Sequence, residues 1–295
     1  MHFNGFANVY IRQVEIRDVR CLESVTIDFD RGGHTYAGWT VIAGPNASGK
    51  TTLLRAMALA CVGPGVVATL QESAADWVRH GVDRASVALT LQRGPRDALY
   101  VPVPEGGGEF DLVGEPVPFS IGVQWVEHGV GANPVVRALP RKTSSDAEYG
   151  PWIGFDQTPG WFVAGFGAYR RLAGGSTDAQ RLSGSARRAV SQLASLFRDD
   201  VALVETMAWL ERLHLLRLER REGAAKLLDG VLGILDSGLL PEGTRVVRLD
   251  ADGLWVDRAG VLVPLQHMSD GYQTVAGLVI DLLRQLSLAY DELHV

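Results

Sequence analysis

Gly44-Pro45-Asn46-Ala47-Ser48-Gly49-Lys50-Thr51 fits the phosphate-binding loop pattern G-x-x-x-x-G-K-[ST]. Its flanks suit that reading. Trp39 to Ala43 reads as a short buried strand entering the loop. Leu53, Leu54, Met57, Ala60 and Cys61 recur at helical spacing behind it. A strand would then lead into a glycine-rich turn, and the turn would open a helix whose first N–H groups face an anion. Glycine at 44 and 49 lets successive amides curl around phosphates. Lys50 would reach the β- and γ-phosphates, and the Thr51 hydroxyl would sit on Mg²⁺. Asn46 and Ser48 shape the loop, supplying backbone amides more than side-chain chemistry. By average residue usage the four fixed positions arise in roughly one chain in a hundred of this length, so the match is specific. The pattern implies a nucleoside triphosphate site.

The rest of the chain sets bounds on that site. Its 295 residues suffice for one large domain or two smaller ones, and 46% hydrophobic with 21% charged is ordinary for a globular protein. A net charge of −6 argues against a wholly basic nucleic-acid coat, while leaving room for local basic faces. The two cysteines, Cys21 and Cys61, fall in apolar-patterned segments and read as buried free thiols of a reducing compartment. Neither they nor the seven histidines show zinc spacing. No basic-then-apolar leader opens the chain, and no apolar run is long enough to span a bilayer, so a cytoplasmic location is expected.

Tyr10 to Arg20 and Val25 to Phe29 alternate as two strands of a hairpin, with Cys21 to Ser24 as its turn. From Ala85 to about Gly167 the chain is least helical. Strand-like pieces at Val87 to Leu91, Phe119 to Val126 and Trp161 to Phe166 are broken by Pro102, Pro104, Gly106 to Gly108, Pro116 and Pro134. Arg141 to Tyr149 and Gly174 to Ser185 read as loops. Helices follow, with faces marked by Val190, Leu193, Leu196 and Phe197, by Leu203, Met207, Leu210 and Leu213, and over Ala224 to Leu235. A meander comes next, Val246 to Leu249, Leu254 to Val256 and Val261 to Leu265, turning at Asp252-Gly253 and Ala259-Gly260. The last helix carries Val275, Leu278, Val279, Leu282 and Leu286 on one face.

Before that helix stands Met268-Ser269-Asp270-Gly271-Tyr272-Gln273. Alone it is a helix cap. Its place after the phosphate loop, after an insertion, and at the head of an apolar helix makes it resemble the LSGGQ-type signature of ABC-type ATPases. The aspartate variant is similar to that of the RecF, RecN and SMC-like branch and of bacterial antiphage-defence ATPases, including the Septu type. Val14 to Phe29, Gly44 to Thr52, Gly165 to Arg171, Asp252 to Trp255 and Pro264-Leu265 resemble further segments of these proteins.

The resemblance implies an α/β P-loop NTPase, an ABC-type ATPase head. Its mixed sheet would be flanked by helices, with a β-rich N-terminal lobe and a helical lobe. It would form a single domain over 1–295, divided into a hairpin and P-loop lobe (1–84), a β-rich insertion (85–185), a helical lobe (186–240) and a meander with signature helix (241–295). Gly44, Pro45, Asn46, Ala47, Ser48, Gly49, Lys50, Thr51 and Thr52 would bind ATP, with Lys50 catalytic and Thr51 on Mg²⁺. Ser269, Asp270 and Gly271 would act in trans on the nucleotide of a second copy. The implied partners are a homodimer or higher oligomer formed through ATP, an effector nuclease subunit and DNA.

The family's Walker B strand, an apolar run ending in Asp-Glu, would follow the signature helix, about where the chain stops at Leu293-His294-Val295. A cut before that strand is the expectation, and it puts hydrolysis by this chain alone in question. Val231 to Asp236, Leu278 to Asp281 and Val246 to Asp250 imitate the motif but belong to a helix, the signature helix and the meander. Gln124 is a candidate γ-phosphate sensor, though alternation makes it an outward strand residue. Arg170 or Arg171 would lie near nucleotide or partner, or be solvated. Arg217, Arg220 and Arg221 read as a charged helix face before a DNA footprint, and His267 as a loop residue before an interface one. Two other classes remain: an ATP-dependent scaffold subunit that does not hydrolyse, and a P-loop kinase, for which no acceptor chemistry is visible.

Overall fold

The computed structural model describes residues 9–33, 35–36, 38–71, 73–93, 118–129, 132–139, 162–168, 176–185, 187–199, 204–240, 243–250 and 253–289. Pro102 to Pro116, Arg141 to Tyr149, Arg170, Arg171, Leu203, Asp252 and Leu293 to Val295 lie outside them. The chain divides into two compact units, Met1–Val163 and Ala164–Val295. That division falls inside the segment 85–185.

In the first unit, strands β1 (Val9–Val19) and β2 (Leu22–Asp28) form the expected hairpin. Val19 pairs with Leu22, so the turn is two residues, Arg20 and Cys21, tighter than the Cys21 to Ser24 turn read from the sequence. Positive φ at Asp18 (53°) and Arg20 (52°) closes it. Strands β3 (Arg84–Arg93), β4 (Phe119–Val126) and β5 (Val135–Ala138) complete a five-stranded antiparallel sheet ordered β2-β1-β3-β4-β5. Alternation sorts its faces. Val14, Ile16, Val87, Leu89, Val123 and Trp125 are buried on one side. Against that side packs helix α1 (Lys50–Val62), whose Ala56, Leu59 and Ala60 are fully buried. Each large aliphatic so removed from water contributes about 1.5–3 kcal/mol. Helix α2 (Pro64–Leu70) follows, started by Gly63 and Pro64.

The run Trp39 to Ala43 is neither strand nor buried: no ladder partner pairs with it among the described residues, and Trp39 and Val41 are 93% and 87% exposed. An apolar run becomes a strand only where another strand accepts its hydrogen bonds. Cys21 also departs from expectation, being exposed at the hairpin turn, while Cys61 is a free thiol that burial pushes up to about 12.

Trp161 to Phe166, a run that crosses the division between the units, is not a strand over its described part. The chain lies instead on helix α4 (Arg188–Phe197): Gly165 donates its N–H to Gln192 O at 3.0 Å, and a Cβ at Gly167 would stand 2.2 Å from Ser195 O. Within the expected loop Gly174 to Ser185 runs a short helix, α3 (Thr177–Ser183), with Asp178 paired to Arg181 at 3.3 Å. Helices α5 (Val204–Leu218) and α6 (Glu222–Asp236) pack with an antiparallel meander, β6 (Thr244–Asp250), β7 (Gly253–Arg258) and β8 (Val261–Pro264). Leu210, Leu213, Leu228, Val231, Leu235, Leu254 and Ile280 form their common core.

The last helix, α7 (Asp270–Ala289), turns a different side inward from the one read in sequence. Val275 is 38% exposed, and the buried positions are Ala276, Gly277, Ile280, Asp281, Gln285 and Ser287. A polar cluster sets that rotation. Asp281 accepts from Thr206 (2.9 Å), from Arg284 (2.8 Å) and from Gln285. A carboxylate so placed is kept inside by its partners. Among the described residues no helix is long and apolar enough to cross a membrane.

Candidate nucleotide-binding site

Gly49 takes φ 90° and caps α1 without a side-chain hydrogen bond. The first helical bond runs from Leu53 N–H to Gly49 O at 2.8 Å, so the amides of Lys50, Thr51 and Thr52 emerge with no acceptor in the helix. The first turn contains no acidic residue, which leaves the positive end of the dipole uncompensated. Ala47 also has positive φ, 64°, and with Gly49 it bends the amides into a concave nest. A Cβ on Gly44 would meet Ser48 Oγ at 2.9 Å, which is why glycine opens the loop. The Lys50 ammonium donates to Gly44 O (2.9 Å) and Pro45 O (2.7 Å), so two of its three protons pin the loop and one is left for an anion.

The hairpin backs this loop. A Cβ at Gly49 would fall 2.6 Å from Leu22 Cδ2 and 3.0 Å from Cys21 Sγ, so the β1–β2 turn touches the loop from behind. Two cations stand nearby that no motif marks in the sequence. Arg20 lies 4.4 Å above the Trp77 ring and donates Nε–H to Asp76 O at 3.0 Å. Its pKa is lowered chiefly by burial and then by Arg55 of α1, against the opposing charge of Asp76. Trp77 in turn stacks on Trp125 at 5.3 Å.

Gln124 lies on the sheet face opposite α1, beside Arg137, and so stands apart from the loop, as its outward alternation implied. Arg217 pairs with Asp229 across α5 and α6 at 2.9 Å, and Arg220 and Arg221 are exposed, which fits the charged-face reading.

Ser269, Asp270 and Gly271 are exposed at the start of α7, with Ser269 O accepting from Tyr272 and Gln273 N–H at 3.0 and 3.1 Å. A Cβ at Gly271 would meet nothing within 4 Å. Gln273, the last residue of the signature-like segment, donates its side-chain amide to Gln266 O (3.0 Å) and Met268 O (2.6 Å) and ties down the turn. His267 is exposed and lines a cavity of about 330 Å³ beside that turn. The three apolar runs ending in aspartate are engaged elsewhere. Asp236 accepts from Val246 N–H (3.1 Å), Asp250 from Trp255 Nε1–H (2.8 Å), and Asp281 from Arg284.

A family model described as an AAA domain matches residues 13–90, which hold the hairpin, the loop and α1. No curated protein matches. Among solved structures, the recombination mediator RecF with ATP is similar at 12% identity and TM-score 0.41, covering 99% of this chain and 84% of that one. The Pyrococcus furiosus Smc head domain bound to the C-terminal domain of ScpA is similar at 15% identity and TM-score 0.42, covering 97% and 84%.

Proposed function

We propose that this chain is an ATP-binding head of the ABC type, in the RecF/SMC-like branch, that associates with a second copy around ATP. The observation that supports this most is the loop itself. It has a left-handed glycine cap, free first-turn amides, no acid in that turn, and a lysine holding the loop carbonyls with a proton to spare. The AAA-domain match covers those residues.

In this reading the amides from Asn46 to Thr52 bind and orient the β- and γ-phosphates within the loop that Gly44 and Pro45 open, and Lys50 neutralises their charge. The Thr51 hydroxyl, which makes no hydrogen bond among the described residues, fits a magnesium ligand. Mg²⁺ carried with the nucleotide would supply further positive charge at the phosphoryl group. Ser269 and Gly271, with Asp270 between them, would present the α7 N-terminus to nucleotide on the second copy, adding N–H donors and positive dipole. The two units together would make one such head, in the cytoplasm. It would serve antiphage defence or DNA repair, with DNA or an effector nuclease as further partner.

The engagement of Asp236, Asp250 and Asp281 favours a second reading, a nucleotide-dependent scaffold that does not hydrolyse ATP by itself. Calorimetry and sizing test the first. Lys50→Ala should weaken ATP binding by about 2–5 kcal/mol, roughly thirty- to several-thousandfold. Ser269→Arg should leave that binding intact and abolish ATP-induced association. Undiminished binding by the lysine variant refutes the loop assignment; undiminished association by the serine variant refutes the signature role.

A further inference from the structure

The outer face of the five-stranded sheet, opposite α1, holds a cavity of about 560 Å³, within the size range of small-molecule sites. Its floor is low because small residues meet there: Ala88 pairs with Gly122 in register. A Cβ on Gly122 would strike Val87 O at 2.5 Å and approach Leu139 Cδ2 at 3.2 Å, so the glycine lets Leu139 fold over as one wall.

At one end stand two arginines. Arg17 of β1 is directly across from Ser86 of β3, and Arg84 is two residues along β3 on the same face. The guanidinium groups are thus diagonal neighbours, with Cβ atoms within about 7–8 Å. Neither makes a hydrogen bond or ion pair among the described residues. An anion lying between two such guanidinium groups would take charge-assisted hydrogen bonds from both. Ser86 and Gln124, also a register pair, add a hydroxyl and an amide beside them. Glu15, also unpaired among the described residues, lines the trough next to Arg17 and would repel a second anion while accepting from a hydroxyl.

We propose that this trough binds a small organic phosphate, its phosphate held by Arg17, Arg84 and Ser86 and its hydroxylated body lying over Ala88 between Glu15 and Leu139. Two forked cations suit a phosphomonoester, which takes bidentate contacts from both. The site is separate from the Lys50 loop and does not depend on the reading of that loop.

Calorimetry at low ionic strength with ribose 5-phosphate and inorganic phosphate tests it, in the Lys50→Ala background so that the loop contributes least. One site should remain in that background. Arg17→Ala and Arg84→Ala should each weaken both ligands by about tenfold or more. Both arginines are exposed, so their removal leaves the buried face intact. Ala88→Leu, which raises the trough floor, should weaken ribose 5-phosphate and spare inorganic phosphate. Unchanged affinities in the arginine variants would overturn the proposal. So would equal effects of Ala88→Leu on both ligands, or a response confined to a single-stranded oligonucleotide, which would make the face a nucleic-acid track.

Discussion

The phosphate loop and the turn before α7 are both helix N-termini, yet they are held in different ways. Around Gly49 the holding is local: positive φ at residues 47 and 49, lysine protons on two loop carbonyls, and a hairpin turn pressed close behind. Around Ser269 the holding is done by side chains. Gln273 reaches back to two carbonyls, and the helix is keyed inward by the Asp281 cluster more than two turns along. The first device is local and tolerates little at its glycines. The second is spread over residues that touch no ligand, so its failure would spare nucleotide binding.

The largest break should come from Asp281→Ala. It leaves Arg284 and Thr206 without their acceptor in a site where the Asp281 and Arg284 side chains are 4% and 11% exposed. Removing one member of a buried pair costs about 3–5 kcal/mol. Chemical denaturation should show that loss in the second unit, while ATP affinity at the loop is unchanged; a loss of affinity equal to that of Lys50→Ala would erase the contrast. Gly49→Ala should cost about 1–2 kcal/mol for an L-residue held at positive φ. Here ATP binding should fall along with stability, measured by calorimetry and melting on the same sample. Gln273→Ala is the finest probe. Two lost hydrogen bonds amount to roughly 1–2 kcal/mol, and the effect should appear as weaker ATP-induced association in sizing, with monomer binding constant.

This difference also explains what could be read from the amino acids. Glycines and a lysine at fixed spacing are local signals, so the loop pattern and α1 are legible, as are β4, α6 and the meander, whose periods and turns are self-contained. Trp39 to Ala43 was not, since strand formation depends on a neighbour and an apolar pentapeptide does not announce whether one pairs with it. Trp161 to Phe166 failed likewise, its hydrogen-bonding partner being a helix carbonyl at Gln192. The inward side of α7 is hidden in the sequence because hydrophobicity ranks Val275 above Asp281. The burial of Asp281 becomes intelligible only with Thr206, 75 residues away, in view. The hydrogen bonds of Gln273 are hidden for the same reason: they end on two backbone oxygens that only folding brings near.

Trp39, almost bare to solvent five residues ahead of Gly44, and the stacked Trp77–Trp125 pair, nearly sealed beneath Arg20, give the described residues of the first unit two classes of indole. An aqueous quencher such as acrylamide would extinguish emission from the former and hardly touch the latter. The lead-in to the loop thus carries its own fluorescent label, able to report a change in its surroundings without any dye.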